Sequence, residues 1–206
     1  MRWAAVLAAS VVLATAAVAA HGQSPGFGHG VAAGDVLAAG GATVLLWTRP
    51  PAAGPVELEV FGSSGRVVAS RNLRAQPASD LTVPALISSL RPATRYTYRF
   101  RQGGRISPTG RFETPPRANA DARVRFAISG DADATPDTNG RPAFSFAVYA
   151  RMAAEQNDFN INIGDTIYSD SGVGGARPAV TVAEKWANYR LALEQPALRA
   201  LRSSAA

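Results

Sequence analysis

Between Val44 and Thr114, apolar and polar residues alternate in short bursts, each closed by turn-forming residues. Val56-Glu57-Leu58-Glu59-Val60 is the clearest case. Every second residue is apolar and the others are charged, which lays one face of an extended chain on a core and the other in water. Val44-Leu45-Leu46-Trp47-Thr48, Val67-Val68-Ala69, Leu81-Thr82-Val83, Tyr96-Thr97-Tyr98-Arg99-Phe100 and Arg111-Phe112-Glu113-Thr114 read as further strands. Pro50-Pro51, Gly54-Pro55, Ser63-Ser64-Gly65 and Gly103-Gly104 punctuate them. No helix of normal length fits between Gly40 and Thr114. The spacing predicts an N-terminal β-sandwich of fibronectin or immunoglobulin type over residues 21–114, led by a Gly/Pro/Ser-rich linker from Gln23 to Gly30.

Past a second linker, residues 115–122, the period changes. Val124 to Ser129 reads as a strand ending at Gly130-Asp131. Phe144 to Gln156 reads as a helix, with Phe144, Val148, Tyr149 and Met152 at helical spacing. Asp158 to Ile163 reads as the next strand, ending at Gly164-Asp165. Strand, helix, strand predicts a βαβ unit with a parallel pair. Thr181-Val182-Ala183-Glu184 has capping-box spacing, and Val182, Trp186, Tyr189 and Leu193 would share an apolar face of the helix it opens. Pro196 starts another short helix. The class is therefore multidomain, β then α/β, with residues 123–206 as the second unit. A parallel pair needs cover on both faces, so this second unit is expected to be incomplete and the chain a fragment.

Composition refines this picture. Hydrophobic residues make up 47% and charged residues 17% of 206, a globular balance. The net charge is +6 and Lys185 is the only lysine. The arginines are scattered and lack interleaved aromatics, so the charge reads as a solvated surface or mild anion steering, not nucleic-acid recognition. With no cysteine, disulfides and thiol chemistry are excluded. Met1-Arg2, the apolar alanine-rich run Trp3 to Ala20 and the small residues Val18-Ala19-Ala20 have the layout of a Sec-type signal peptide, residues 1–20, cleaved near Ala19 to His21. Export to the periplasm or the exterior follows, with no stable membrane anchor after cleavage. An uncleaved anchor is the alternative. Oligomeric state has no signature in the sequence.

The chemistry concentrates where the two parallel strands end. Their C-terminal ends share one sheet edge, where open α/β sheets bind ligands, so Asp131 and Asp165 are expected to face each other. Two carboxylates this close repel unless a cation lies between them, and cations there could activate water against a phosphorus centre. Asp133 and Tyr168 are further possible ligands. A phenol ligates only when a strong Lewis acid takes its proton, which points to ferric iron rather than magnesium. The plain alternatives are turn-forming aspartates and an ordinary half-buried tyrosine. In the second strand Phe159, Ile161 and Ile163 share one face, and Asn160 and Asn162 the other. Those asparagines either find partners in the core or approach a polar site, which makes Asn162 a possible ligand or supporting residue. The run Asp131 to Pro142 does not fit a helix–loop–helix calcium loop, because Pro136 and Pro142 stand where glycine and glutamate are needed. An irregular calcium loop stays open. His21 and His29 are expected at the surface.

Three stretches resemble the PhoD-like family, the alkaline phosphatase D type of metallophosphatase. His29-Gly30-Val31-Ala32-Ala33-Gly34-Asp35, followed by Val44 to Arg49, looks like the family's HGVASGD…ILWTR opening. Leu90 to Phe100 is similar to its L-x-P-x-T-x-Y-x-Y-x-F strand, and Phe159 to Tyr168 to its DF…LGDxIY signature. The resemblance implies that residues 123–206 begin a metallophosphatase domain, that Asp165 and Tyr168 bind metals, calcium with iron, and that metal-bound hydroxide cleaves a phosphomonoester or phosphodiester substrate. The chain departs from the family at Ser129-Gly130-Asp131, where a Ser-Cys precedes the acid. Asp131 falls at the cysteine's place and would make an all-oxygen site. Exported members often carry a twin arginine, and here only Arg2 is present. The later Asp-Asp-His, Asn-His and His-x-His ligands have no counterpart, so little or no hydrolysis is expected of residues 21–206 alone. The competing readings are a non-catalytic secreted binding module and a calcium-binding extracellular protein.

Overall fold

The computed structural model describes residues 26–37 and 42–205. The expected signal peptide and His21 lie outside them. Eight strands form the first unit: β1 (Val31–Leu37), β2 (Ala42–Thr48), β3 (Gly54–Phe61), β4 (Val67–Ala75), β5 (Val83–Leu90), β6 (Arg95–Gln102), β7 (Arg105–Ile106) and β8 (Gly110–Glu113). One antiparallel sheet has the order β1-β2-β5. The other runs β4-β3-β6-β7, with β8 also paired to β6.

The alternation read from the sequence is what buries this core. Ala42, Val44 and Leu46 of β2 point inward with Val56, Leu58 and Val60 of β3, Tyr96, Tyr98 and Phe100 of β6, and Ile87 of β5. Each of those strands sends its intervening residues outward, so the two sheets share one apolar layer. On the outer face of β3 and β6, Glu59 accepts from Arg99 Nε at 2.9 Å and Arg101 Nε at 3.0 Å.

Three differences stand out from the expectation for this unit. Val31–Leu37 is a strand, paired to β2, that the alternation did not reveal; VAAGDVL is too small and glycine-broken to show a period. The strand expected at Leu81 to Val83 begins only at Val83 and runs to Leu90, because Asp80 and Leu81 sit at positive φ (50° and 61°) and form a corner instead. His29 is not a surface residue: it is 8% exposed, held under the C-terminal helices beside Glu194.

The second unit comprises β9 (Phe126–Ser129), α1 (Ala147–Ala154), β10 (Phe159–Asn162), α2 (Val182–Leu193) and α3 (Pro196–Ser204). Strands β9 and β10 pair in parallel, Phe126 beside Phe159 and Ser129 beside Asn162. A second, smaller core gathers Ala132, Tyr149, Met152 and Leu201. On the other face, Phe126 and Phe159 stack at 5.2 Å, while Phe126 (49%), Ile128 (56%) and Ile163 (74%) are exposed.

The helices are less amphipathic in effect than their sequences suggest. On α1, Tyr149 and Met152 are buried but Val148 is exposed, as is Phe144 before its start. On α2 the expected face is not buried: Val182, Trp186 and Tyr189 are exposed and only Ala192 is enclosed. Helix α2 docks instead through polar side chains, Asn188 Nδ2 donating to Tyr168 C=O at 3.3 Å and Arg190 Nη1 to Asp80 Oδ1 at 2.8 Å. Its capping box is present, with Glu184 N–H donating to Thr181 Oγ1 at 3.3 Å and Thr181 N–H to Glu184 Oε2 at 2.7 Å. Helix α3 packs on β1 and β8, its Arg202 guanidinium carbon 4.7 Å from the Trp47 ring centroid and its Ser204 carbonyl accepting from Arg111 Nε at 2.8 Å.

Candidate metal centre

The parallel pair positions the site. Ile163 N–H donates to Ser129 C=O at 2.9 Å, the last rung of the ladder, and each chain then turns. Ala132 N–H donates to Asp165 C=O at 2.7 Å, tying the two corners together. Both aspartates adopt the left-handed conformation, Asp131 at φ 56° and Asp165 at φ 52°. Aspartate is among the few residues that tolerate this region, and non-glycine residues held there cluster at functional sites.

The two glycines are not equivalent. Gly164 sits at φ 124°, which demands glycine. Gly130 has no such φ, and a Cβ there would lie 3.4 Å from Ile163 Cγ1 in ordinary contact. The corner is fixed from behind: Tyr149 on α1 donates its hydroxyl to Gly130 C=O at 3.0 Å.

Three of the residues singled out from the sequence meet. Tyr168 Oη contacts Asp131 Oδ1 closely and lies 3.0 Å from Asp165 Oδ2. One hydroxyl proton is thus shared between two carboxylates. Their hydrogen bonds, Asp131's first, push the Tyr168 phenol well above its usual range. The other two are occupied elsewhere. Asp133 Oδ1 accepts from Thr135 N–H at 2.9 Å, an Asx turn within its own loop. Asn162 Oδ1 accepts from Gly164 N–H at 2.9 Å and closes the second corner. Asn160 accepts from Asn157 Nδ2 at 3.1 Å. Among the described residues, no three His, Cys, Asp or Glu side chains gather into a cation-binding group.

Sequence reasoning missed the support for Tyr168. Asn188 on α2 donates Nδ2 to Tyr168 C=O at 3.3 Å, and Tyr149 holds the opposite corner. A lone asparagine within an otherwise ordinary helix carries no signal of this role. Asp137, within the run considered as a calcium loop, accepts from Asn139 N–H at 2.8 Å and Arg141 N–H at 3.0 Å and so builds a turn.

A model of the N-terminal domain of PhoD-like phosphatases matches residues 12–116. The chain belongs to the PhoD-like phosphatase family. Alkaline phosphatase D of Bacillus subtilis (strain 168) is 31% identical to it over 156 residues, which is 69% of this chain and 25% of that protein. A solved structure described as PhoD superimposes with a TM-score of 0.75 at 26% identity, covering 88% of this chain and 38% of that one. The chain thus spans about a quarter of the length of the curated relative it matches. The family match ends at residue 116, before Asp131.

Proposed function

We propose that this chain carries the N-terminal β domain (21–114), a linker (115–122) and the opening portion (123–206) of an exported, metal-dependent phosphomonoesterase or phosphodiesterase. Family membership supports the hydrolase class. The observation that carries the site is the meeting of Asp131, Asp165 and Tyr168 at the C-terminal edge of a parallel pair.

The donor set fits a hard cation in kind. Two carboxylates and a phenol are all oxygen, which suits calcium or ferric iron and not a soft ion. It also fits in electrostatics, since a cation would relieve the repulsion that the shared phenol proton now relieves. Where ferric iron takes Tyr168 as a ligand the phenol proton must leave, so uptake of that cation is pH-dependent. When bound, the metal supplies Lewis-acid activation of water toward phosphorus. The residues themselves hold the proton, fix the spacing of the two carboxylates, and set the corner angle through Gly164.

Titration calorimetry with calcium, and visible spectroscopy with ferric iron, test this reading. Calcium binding should be lost in Asp131→Ala with Asp165→Ala. A tyrosinate-to-iron charge-transfer band should appear in the parent and be absent from Tyr168→Phe. Unchanged binding of both cations in the doubly substituted chain would refute the site.

A further inference from the structure

Helix α2 touches the sandwich and the Tyr168 loop through residues two positions apart. Arg190, half-buried, donates Nη1 to Asp80 Oδ1 at 2.8 Å. Asn188, also half-buried, donates Nδ2 to the Tyr168 carbonyl at 3.3 Å. Two residues of α-helix turn through about 200°, so these side chains leave nearly opposite sides of the helix. Helix α2 is thereby held between the Asp80 corner and the loop that carries Tyr168. That loop closes on the helix at its far end too. Ala179 N–H donates to Ser169 C=O at 2.6 Å, and Val180 N–H to Glu184 Oε2 at 3.0 Å, which brings both ends of 169–180 to the start of α2. Ile167 and Tyr168 face Asn188, Leu191 and Ala192 across a crevice of only about 10 Å³. Tyr168 lies past the end of β10, outside any helix or strand, so its backbone takes its place from what it docks on.

We propose that the sandwich positions Tyr168 against the Asp131 and Asp165 carboxylates, with Asp80 and Arg190 acting through α2 and Asn188. The inference deepens the reading of those three residues as the site and rests on it. Asp80 is a fixed anchor, because Arg49 Nε and Nη2 hold the same corner from the end of β2. A site of this kind needs its groups held within about 0.5 Å. Tyr168 Oη lies 3.0 Å from Asp165 Oδ2, so displacement of α2 by that much loosens the contact. Asp80, Arg190 and Asn188 are positioning residues, acting on the Tyr168 backbone and not on the carboxylates. The β domain thereby gains a task at a site whose side chains all belong to the second unit.

The test is fluorine NMR of the whole chain, without added metal, its five tyrosines carrying fluorine at C3. Tyr168→Phe assigns the Tyr168 resonance. Arg190→Gln and Asn188→Ala should each move that resonance toward the free fluorotyrosine value by at least half its offset in the parent. Arg190→Lys, which still reaches Asp80, should restore most of the offset. Arg111→Gln cuts a seam contact to α3 instead and should leave the resonance in place, whereas general loosening of the seam would move it as well. Should Arg190→Gln fail to fold by circular dichroism, Asp80→Asn removes the charge at the corner and should give the same displacement. A Tyr168 resonance already at the free value in the parent, unmoved in the folded Arg190→Gln or Asp80→Asn chain, or moved as far by Arg111→Gln, would overturn the inference. Calcium calorimetry on the parent checks the site reading separately, because the fluorine shift is recorded without any cation.

Discussion

Arg190 Nη1 on α2 donates to Asp80 Oδ1 at 2.8 Å across 110 positions of sequence. The same carboxylate accepts from Arg49 Nη2 at 3.1 Å, and Arg49 Nε donates to the Asp80 backbone carbonyl at 2.9 Å. The Asp80 corner therefore joins the end of β2 to a helix of the second unit. Burial alone would raise its carboxyl, but the hydrogen bonds from Arg49 and Arg190 outweigh that and hold it low.

Asp80→Ala is expected to cost about 1–3 kcal/mol, because it leaves two partly buried guanidinium groups without their shared acceptor. Urea unfolding of the parent and variant measures this. A folded pKa below the unfolded value means that the Asp80 contribution is present above about pH 4 and fades as pH falls further. A variant as stable as the parent would show that the corner does not couple the two units.

His29 gives a second and higher acid window. Burial, then the charges of Arg49 and Arg190, lower its pKa to about 4; Asp80 opposes them and Arg199 adds to them. Glu194 Oε1 approaches Nε2 at 3.4 Å, without hydrogen-bond geometry. The unfolded imidazole titrates near 6.5, so the unfolded state binds the extra proton first. Stability should be full above about pH 6.5 and fall by on the order of 2–3 kcal/mol toward pH 4. His29→Gln should flatten that slope between pH 6.5 and 4, measured as the urea midpoint at each pH.

Tyr98 is fully buried and its hydroxyl makes no hydrogen bond among the described residues. Tyr98→Phe should therefore stabilise the chain by about 1 kcal/mol, since it removes a desolvated polar group and leaves the ring. Gly110→Ala should do the opposite. A Cβ there would meet Tyr98 Cζ at 2.3 Å, and relief requires moving a core ring, costing about 1–3 kcal/mol. Thermal melts of both variants decide it.

The two Gly-Asp corners should respond differently to one methyl group. Gly164→Ala forces alanine to φ 124° and is expected to lose about 1–3 kcal/mol and weaken cation uptake. Gly130→Ala should stay within about 0.5 kcal/mol of the parent. Equal losses would mean that the corners are strained alike.

Much of this was legible in residue order, where period and burial coincide. Leu58 and Tyr98 announce their strands because their neighbours are charged or polar. The capping box at Thr181 and the Gly-Asp corners are equally local signals. Asp131 and Asp165 could be paired from topology, since parallel strands deliver their ends to one edge; Tyr168 was only a possible neighbour, three residues past the second corner. What could not be read depends on side chains that meet across sequence. Nothing local distinguishes Asp80 from other turn aspartates, or His29 from a surface histidine. Both are decided by where α2 and α3 land. The apolar residues of α2 misled for the same reason, because its docking is polar.

The seam between the β sheets and the C-terminal helices uses arginine throughout, at Arg49, Arg111, Arg190 and Arg202. Lysine, whose ammonium gives up its proton in strong alkali, takes no part in those contacts. A guanidinium paired with a carboxylate keeps its charge there. The Asp80 clamp is therefore built asymmetrically with respect to pH: acid disarms it by protonating its carboxylate, while alkali finds no easily removed proton in it.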